Sequence, residues 1–355
     1  MVPLSSLPDS YLLGLALWCG GGVLALIGLL KMRRRWRGRP GRQKALAATL
    51  GLGFCLAVLT LIEIGFALFY DTTDSFKKTA VSERWYDLHV RTNAAGFRDE
   101  HPLDRTAKPG QRRIVFVGDS FTFGHGVEVS DRFSDRIALA LEQRSPGKDV
   151  VSNASLPGLS ARELVDALVP QVLNTGSRTD VLVYTFVPND IETFDERTGE
   201  FYQSLASNDP QWFPFRGTYF FNLLYYRFQQ IARPSARGYY GYLAESYDGV
   251  PWQRMESKLD ELVALCRSRR VELRIVAFPF LQNLGSDDPF LKAQERIVEF
   301  CRTRDIPCVD LRPVLAKEVV EHGGSLVVNR WDAHPNARCH AIAAEAILGT
   351  ILKDE

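Results

Sequence analysis

The stretch Arg113-Ile-Val-Phe-Val-Gly-Asp-Ser-Phe-Thr-Phe-Gly-His-Gly126 decides the fold of this chain. It begins with a run of β-branched and aromatic residues, Ile114 to Val117, which Gly118 and Asp119 follow at once. This pattern predicts a buried strand that ends in a sharp turn. Ser120 lies in the turn, where backbone amides can converge on its hydroxyl as an acyl-transfer nucleophile requires. The alternative is an ordinary strand-end turn in which the serine caps a helix.

The 355-residue chain is balanced in charge, with 43 basic and 42 acidic residues, so no global field indicates a nucleic-acid partner. The positive charge is local, because residues 31–44 contain eight basic residues and no acidic one. This loop separates two apolar stretches, 11–30 and 45–70, each long enough to cross about 30 Å of hydrocarbon as a helix. A cleaved signal peptide would carry its basic cluster before the apolar run. The sequence therefore predicts a membrane anchor of two transmembrane helices over residues 1–70.

The basic loop also predicts the orientation of the anchor. Positively charged loops stay in the cytoplasm, which places the N-terminus and everything after Tyr70 outside it. In a bacterium the outer domain would be attached to the inner (plasma) membrane and be periplasmic or at the cell surface, and a lumenal site is the eukaryotic counterpart. Glu63 is the one acidic residue of the second span. It is either a functional carboxylate within the membrane or a side chain that reaches the interface or pairs with another helix.

The six cysteines do not form a disulfide framework in a chain of this length, although an oxidising compartment is compatible with one or two bridges. The spacing of cysteine and histidine suggests no metal site. We therefore expect neither a metal nor an organic cofactor.

Beyond the anchor, residues 71–110 are polar and predict a stalk that packs on the following domain. From residue 111 to residue 355 strands and helices alternate. The strand candidates are Ile114–Val117, Asp149–Asn153, Val181–Phe186, Val271–Phe278 and Cys308–Leu311, and the helix candidates are 131–144, 161–173, 252–270, 289–302 and 336–352. Strands separated by helices imply βαβ units and a parallel sheet, with ligands at the carboxyl ends of the strands.

If Ser120 is catalytic, matching chemistry should follow the other strands. Gly158 comes after the second strand and can offer a backbone amide to a developing oxyanion. Asn189 comes after the third strand, and its side-chain amide can donate to the same oxygen. Near the C-terminus, His334 can act as the base for Ser120 and Asp332 can hold its imidazole. Each residue alone also has an ordinary structural interpretation, as a turn or helix-cap residue.

Taken in order, these blocks resemble the SGNH, or GDSL, hydrolase superfamily. The resemblance covers about residues 110–352 and rests on Gly118-Asp-Ser120, on Gly158, on Asn189-Asp190 and on Asp332-Ala-His-Pro-Asn336. It implies a flavodoxin-like three-layer α/β/α sandwich with a parallel sheet. It also implies that Ser120 is the nucleophile and that His334 and Asp332 complete a triad. The Ser120 amide, Gly158 and Asn189 would then form the oxyanion hole.

Two positions depart from the pattern of the superfamily. Val187 stands where the third block often has glycine, and the acid lies two rather than three residues before the histidine. A similar spacing of the acid and the histidine occurs in members of the superfamily that resemble polysaccharide O-acetyltransferases. Asp119 and Asp190 are expected to fix their turns by hydrogen bonds. His125 is expected in an exposed loop, because glycines flank it, and without a direct role.

The segment of residues 191–251 is too long for an ordinary connection between a strand and a helix, and it is rich in aromatic residues. We expect it to form a cap over the site. Most of the rings would form the core of the cap, and a few would stack on sugar rings or line an acyl tunnel.

The leading hypothesis is a membrane-anchored serine esterase that acts outside the cytoplasm on O-acyl esters, O-acetyl esters above all, of a carbohydrate or lipid. One alternative is an O-acetyltransferase that modifies a cell-envelope polysaccharide with a membrane acyltransferase as partner. Another is a non-catalytic carbohydrate-binding subunit of an envelope assembly. The sequence identifies neither the acyl chain nor the acceptor.

Overall fold

The computed structural model describes residues 2–35, 40–103, 107–206, 209–232 and 234–353. The chain divides into two compact units. The helical unit comprises residues 1–72, 76–88 and 210–232, and the sheet unit comprises residues 73–75, 89–209 and 233–355.

Helices and strands alternate through most of the chain. The strands are β1 (Arg112–Gly118), β2 (Asp149–Asn153), β3 (Val181–Phe186), β4 (Glu272–Ala277), β5 (Cys308–Asp310), β6 (Val327–Asn329) and β7 (Asp332–Pro335). The helices are α1 (Asp9–Arg35), α2 (Pro40–Phe69), α3 (Ala80–His89), α4 (Ser120–Phe123), α5 (Phe133–Arg144), α6 (Ala161–Glu163), α7 (Val169–Leu173), α8 (Glu196–Ala206), α9 (Phe220–Ala232), α10 (Pro234–Ser246), α11 (Val250–Ser268), α12 (Leu291–Thr303), α13 (Arg312–His322) and α14 (Ala337–Thr350). A π-helical stretch, Leu164–Leu168, joins α6 to α7, and 3-10 helices cover Leu4–Ser6, Val129–Asp131 and Pro188–Phe194.

The core of the sheet unit is a five-stranded parallel sheet in the order β2-β1-β3-β4-β5. This is the strand order of flavodoxin-like folds, and the predicted fold class is confirmed. The central strands read as continuous apolar runs because helices cover both of their faces. All six residues of β3 are buried, and Ile114 to Val117 of β1 are fully buried.

All five predicted strands are present, with ends that differ by at most two residues. A sixth and a seventh strand were not predicted: β6 and β7 form an antiparallel hairpin that carries Asp332 and His334. The turn of the hairpin is held by Asn329, whose Oδ1 accepts a hydrogen bond from Trp331 N at 2.7 Å. The two candidate residues therefore lie on a paired strand rather than in a loop.

The helical unit contains both apolar stretches. Among the described residues, two helical segments, Asp9–Arg33 and Gly41–Phe69, are long and apolar enough to cross a membrane, and almost none of either is buried. They are candidate membrane spans, and they cover the predicted stretches 11–30 and 45–70 except for Tyr70. Residues 36–39 of the predicted basic loop lie outside the described residues.

The units differ from the expected domain boundaries at two places. Residues 76–88 of the expected stalk and residues 210–232 of the expected cap group with α1 and α2. Contacts within the helical unit explain this grouping: Tyr219 packs in one apolar cluster with Ala67 and Val81, and Glu63 accepts hydrogen bonds from backbone amides at the start of α9. The remainder of the insertion, including α8 and α10, belongs to the sheet unit.

Candidate active site

The turn after β1 presents Ser120. A Cβ at Gly118 would lie 2.3 Å from Thr122 Oγ1 and 3.2 Å from Thr185 O, so the close packing around this position favours glycine. Asp119 caps α4, because its Oδ1 accepts a hydrogen bond from Phe121 N at 2.9 Å. The expectation that Asp119 fixes the turn is confirmed. Ser120 begins α4 directly beyond the carboxyl end of β1 and keeps 9 % of its surface exposed.

A chain of hydrogen bonds joins Ser120 to the hairpin. His334 Nε2 lies 2.8 Å from Ser120 Oγ, and His334 Nδ1 lies 2.6 Å from Asp332 Oδ1. Because a carboxylate only accepts hydrogen bonds, Nδ1 carries the proton, and Nε2 of the neutral ring accepts from the serine hydroxyl. This geometry lets the imidazole take the serine proton while Asp332 holds the ring. Three of the predicted site residues are thus brought together.

The second oxygen of Asp332 has its own partners. Thr73 Oγ1 donates a short hydrogen bond to Oδ2, and His125 Nε2 lies 3.2 Å from the same atom. Burial on its own raises the pKa of the Asp332 carboxyl, but His334 and His125 outweigh it and hold that pKa well below its usual range. The group therefore stays ionised, and both oxygens are used.

His125 is buried, with 3 % exposure, so the expectation of an exposed loop is wrong. The buried Arg98 guanidinium explains the difference, because it donates to Gly124 O at 2.7 Å and to Val127 O at 2.9 Å, on either side of the histidine. The ring of His125 stacks on that of His334, with centroids 4.0 Å apart. Its Nε2 also lies 3.0 Å from Asp74 O. Both neighbours of Nε2 are acceptors, so this nitrogen is the protonated one.

Residues 73–75, which we call the strap, complete the surroundings of the hairpin and were not singled out in the sequence. Ser75 Oγ accepts from Ala333 N at 3.0 Å, and Thr73 O accepts from Asn329 Nδ2 at 3.0 Å. Gly126 makes room for the strap, since a Cβ there would lie 2.6 Å from Thr73 Oγ1. The one available signal was the polar run Asp-Thr-Thr-Asp-Ser at 71–75, which is also what a solvated stalk would show.

The two loops predicted to supply oxyanion donors follow β2 and β3. Gly158 is exposed in the turn after β2, at a φ of 77°, and Leu156 N donates to Gly118 O at 3.2 Å, which holds this loop beside the end of β1. Asn189 lies in the 3-10 helix after β3. Its Nδ2 donates to Asp119 Oδ2 at 3.0 Å, which uses one of its two N–H groups. No acceptor for the other N–H is found among the described residues.

Asp190 fixes the loop of Asn189, as expected. Its Oδ2 accepts a hydrogen bond from Val187 N at 3.2 Å and a short one from the Tyr184 hydroxyl. Burial, and then the nearby Asp119, raise the pKa of Asp190 well above its ordinary value. Burial likewise raises the pKa of Asp119. Neither carboxyl hydrogen-bonds to a histidine of the site in the described part of the chain.

Aromatic rings form a wall on one side of the His334 imidazole. The Phe121 ring lies 5.4 Å from that of His334 and 6.2 Å from that of Phe280. The Phe280 ring in turn packs edge-on against Tyr240 of α10 at 5.7 Å. Through these ring contacts, Tyr240 connects the insertion to the His334 imidazole. Its neighbour Tyr239 instead stacks on Phe201 and donates to Glu192, as a core residue does.

The side chains of His125, Asp332 and His334 form the one group of potential metal ligands found among the described residues, with their ligand atoms within 4.8 Å of one another. The same atoms are already engaged, because each imidazole donates to one oxygen of Asp332. A metal ion here would have to replace both hydrogen bonds.

A flavodoxin-like sheet with a serine, a histidine and an aspartate joined at its carboxyl edge defines the class of α/β serine hydrolases. Residues 116–342 match the model of the GDSL-like lipase/acylhydrolase family. This match covers more than half of the chain, so the protein belongs to that family and is a serine hydrolase of the esterase type. The predicted relationship to the SGNH/GDSL superfamily is confirmed. The comparison with curated proteins finds no match.

Several solved structures are similar to this chain. TesA matches with 12% sequence identity over 68% of this chain and 98% of its own, at a TM-score of 0.41. The acetyl xylan esterase AlAXEase matches with 13% identity over 67% and 98%, at 0.44. A catalytic mutant of Axe2, an acetylxylan esterase from Geobacillus stearothermophilus, matches with 15% identity over 69% and 96%, at 0.44. Their substrates are properties of those proteins.

Proposed function

We propose that this protein is a membrane-anchored serine esterase that cleaves O-acyl esters, O-acetyl esters above all, outside the cytoplasm. The observation that carries the proposal is the chain of hydrogen bonds from Ser120 Oγ through His334 to Asp332, at 2.8 and 2.6 Å. Membership of the GDSL-like lipase/acylhydrolase family supports the reaction class. A carbohydrate-binding subunit has no need of a serine activated in this way.

In the proposed reaction, Ser120 Oγ attacks the carbonyl carbon of the ester while His334 Nε2 takes its proton. Asp332 stabilises the positive imidazolium that results. When the tetrahedral intermediate collapses, His334 returns the proton to the departing alcohol oxygen, and an acyl-enzyme on Ser120 remains. Water, deprotonated by His334, then attacks the acyl carbonyl. When this second intermediate collapses, His334 returns the proton to Ser120 Oγ and the acid is released.

The negative oxygen of each intermediate needs donors that are already in place. We assign this role to the Ser120 amide, the Gly158 amide and the second N–H of Asn189. Support comes from the loop geometry, since Leu156 N–Gly118 O holds one loop beside the end of β1 and Asp119 orients the Asn189 amide. The aromatic wall with Tyr240 would face the acyl or sugar part of the ester.

The candidate spans and the eight basic residues in positions 31–44 support the location of the enzyme. Together they favour two transmembrane helices with the sheet unit on the periplasmic side of the inner (plasma) membrane. Residues 71–110 and 191–251 would then be the stalk and the insertion of a catalytic domain that runs from 111 to 355, with segments 76–88 and 210–232 grouped with the anchor helices.

The experiment that tests the proposal measures p-nitrophenyl acetate turnover and fluorophosphonate labelling by the full-length protein in detergent. Ser120→Ala should abolish both, because it removes the nucleophile. Ser246→Ala is the matched control: this serine is also buried in the sheet unit, but it hydrogen-bonds to Asp195 and should leave both signals unchanged. Turnover that persists in a folded Ser120→Ala protein would refute the assignment.

The acyl-enzyme can also be resolved by an alcohol, and this makes an O-acetyltransferase acting on an envelope polysaccharide the second candidate. The position of Asp332, two residues before His334, favours it through the resemblance to acetyltransferase-like members. A soluble oligosaccharide acceptor added to the assay separates the two reactions. Serine-dependent acetylated oligosaccharide would identify a transferase, and acetate alone an esterase.

A further inference from the structure

The part of the helical unit formed by residues 212–228 exposes large apolar side chains. Trp212, Phe213 and Phe228 are exposed at 79, 71 and 68 %. Phe215 and Leu224 are exposed as well. Such a concentration of apolar surface marks a site of interaction with another protein, a ligand or a membrane.

The exposed side of α9 carries large apolar side chains, and polar side chains of the same helix are buried. Leu224 and Phe228 face outward, whereas the polar side chains of Asn222 and Arg227 are buried together with Leu223 and Tyr226. Asn222 has internal partners, since its Oδ1 accepts from Ala80 N at 2.8 Å and its Nδ2 donates to Phe215 O at 3.0 Å. A helix next to water exposes its polar face, so this arrangement suits hydrocarbon on the outer side.

The same segment packs directly on the candidate membrane spans. Glu63 of α2 accepts hydrogen bonds from Tyr219 N at 2.7 Å and from Phe220 N at 2.8 Å. The ring of Phe213 lies 6.4 Å from that of Trp18 in α1. Trp18 is the tenth residue of α1, and Glu63 lies six residues before the end of α2. The segment therefore contacts the parts of the spans that the outer leaflet would surround.

A crevice of about 460 Å³ lies between this segment and the two spans. Its walls are mainly apolar and include Leu15, Leu56, Leu59, Phe213 and Phe221. The volume is in the range of small-ligand sites, and the lining suits a hydrocarbon chain rather than a polar ligand.

We propose that residues 212–228 form a lipid-embedded surface: the aromatic loop and the outward face of α9 lie among the acyl chains of the outer leaflet, and the crevice holds one phospholipid acyl chain. This inference rests on the proposed membrane anchoring. Tryptophan and other aromatic rings concentrate at the boundary between headgroups and acyl chains, where the exposed Arg216 would meet phosphate. The bilayer thus holds the protein by a third element besides the two spans.

Photocrosslinking of the full-length protein tests the proposal. The photoreactive residue p-benzoylphenylalanine replaces Phe213, Phe228, Leu24 or Val320, one at a time, in vesicles of phosphatidylethanolamine and phosphatidylglycerol. Leu24 is 71 % exposed on α1 and reports anchoring, whereas Val320 is 85 % exposed in the sheet unit and serves as the water-facing control. After irradiation, mass spectrometry should show an adduct of one phospholipid at positions 213 and 228, on the order of tenfold more abundant than at position 320.

The outcomes distinguish the two proposals. Lipid adducts at position 24 but none at 213 and 228 would overturn the lipid-embedded surface and leave the anchoring intact. Crosslinking of positions 213 and 228 to a second copy of the chain would also overturn it, because the surface would then be a protein interface. A lack of lipid adducts at position 24 would refute the anchoring itself, and the inference with it. Unchanged thermal unfolding of each variant establishes that the substitution leaves the fold intact.

Discussion

The carboxyl groups of Asp332 and Glu63 are both almost completely buried, at 1 and 5 % exposure, but their partners are of different kinds. Asp332 in the sheet unit is bound by two imidazole rings and a threonine hydroxyl. Glu63 in the helical unit is bound by two backbone amides and the hydroxyl of Tyr11, at 3.0 Å. Burial and close contacts alone therefore do not distinguish a carboxylate that takes part in catalysis from one that only stabilises the fold.

The kind of hydrogen-bond partner distinguishes the two carboxylates. An imidazole next to a carboxylate can gain and lose a proton near neutral pH, so Asp332 can stabilise a charge that comes and goes. Backbone amides do not titrate, and those bound by Glu63 are the unpaired donors at the start of α9, where a carboxylate also complements the helix dipole. Of the two interpretations of Glu63, the structure favours pairing with another helix.

Asp332→Asn should reduce kcat by about a thousandfold or more and leave KM nearly unchanged, because an amide no longer fixes the protonated Nδ1 of His334 or stabilises its charge. Asp310→Asn is the matched control, since Asp310 also lies in the sheet unit but hydrogen-bonds to Gln294. Initial rates with p-nitrophenyl acetate give both constants. A loss below tenfold in a folded variant would remove Asp332 from the mechanism.

His125→Phe should reduce kcat by about tenfold at constant KM, because it removes one hydrogen bond to a charged group. His125→Gln should recover most of the activity, since its side-chain amide can still donate to Asp332 Oδ2. His340→Gln serves as the control, because this second buried histidine contacts Phe133 N instead. Equal losses in His125→Gln and His125→Phe would mean that the ring matters by packing and not by its bond to Asp332.

Glu63→Gln should leave turnover of a soluble ester within about twofold of the unmutated protein but lower the free energy of unfolding by about 1–2 kcal/mol. The glutamine amide has only one acceptor oxygen, so it cannot accept a hydrogen bond from Tyr219 N with one terminal atom and from Phe220 N with the other. Thermal unfolding in detergent measures the effect, with the exposed Glu321→Gln as control. A large loss of turnover without a loss of stability would make Glu63 a functional carboxylate after all.

The smallest effect concerns pH. Burial, and then His334, lower the pKa of His125, although Asp332 and Asp74 oppose this. An unfolded histidine titrates near about 6.5, so below that pH the unfolded chain binds a proton that the folded one does not. The free energy of unfolding should therefore decrease as the pH is lowered below about 6.5, by at most about 1.4 kcal/mol per pH unit for this residue.

The pH measurement is a difference between the unmutated protein and His125→Gln, in which the slope below pH about 6.5 should be shallower. The difference is needed because His340 contributes with the same sign: burial, followed by Arg132 and Arg136, lowers its pKa to about 3. An identical slope in both proteins would show that His125 does not stay neutral in the fold.

The local sequence pattern was sufficient to predict the five strands of the parallel sheet. Runs such as Ile114–Val117 and Val181–Phe186 are apolar without interruption, and this is a property that neighbouring residues define by themselves. The polar residues directly after these runs could also be placed, because parallel strands bring their carboxyl ends to one edge. The sequence pattern thus located Ser120, Asn189 and Gly158.

Apart from Ser120 and His334, whose pairing the sequence predicted, the distant residues that meet were set by the tertiary structure. His125 is buried because Arg98, from a segment that resembles a stalk, binds the carbonyls on either side of it. Thr73 reaches Asp332 across 259 positions of the chain, and α9 leaves the expected cap because Glu63 holds its first turn. Apolar periodicity depends on residues that are neighbours in the sequence, so it can be recognised from the sequence alone. A buried hydrogen bond depends on two groups whose distance is set only when the chain has folded.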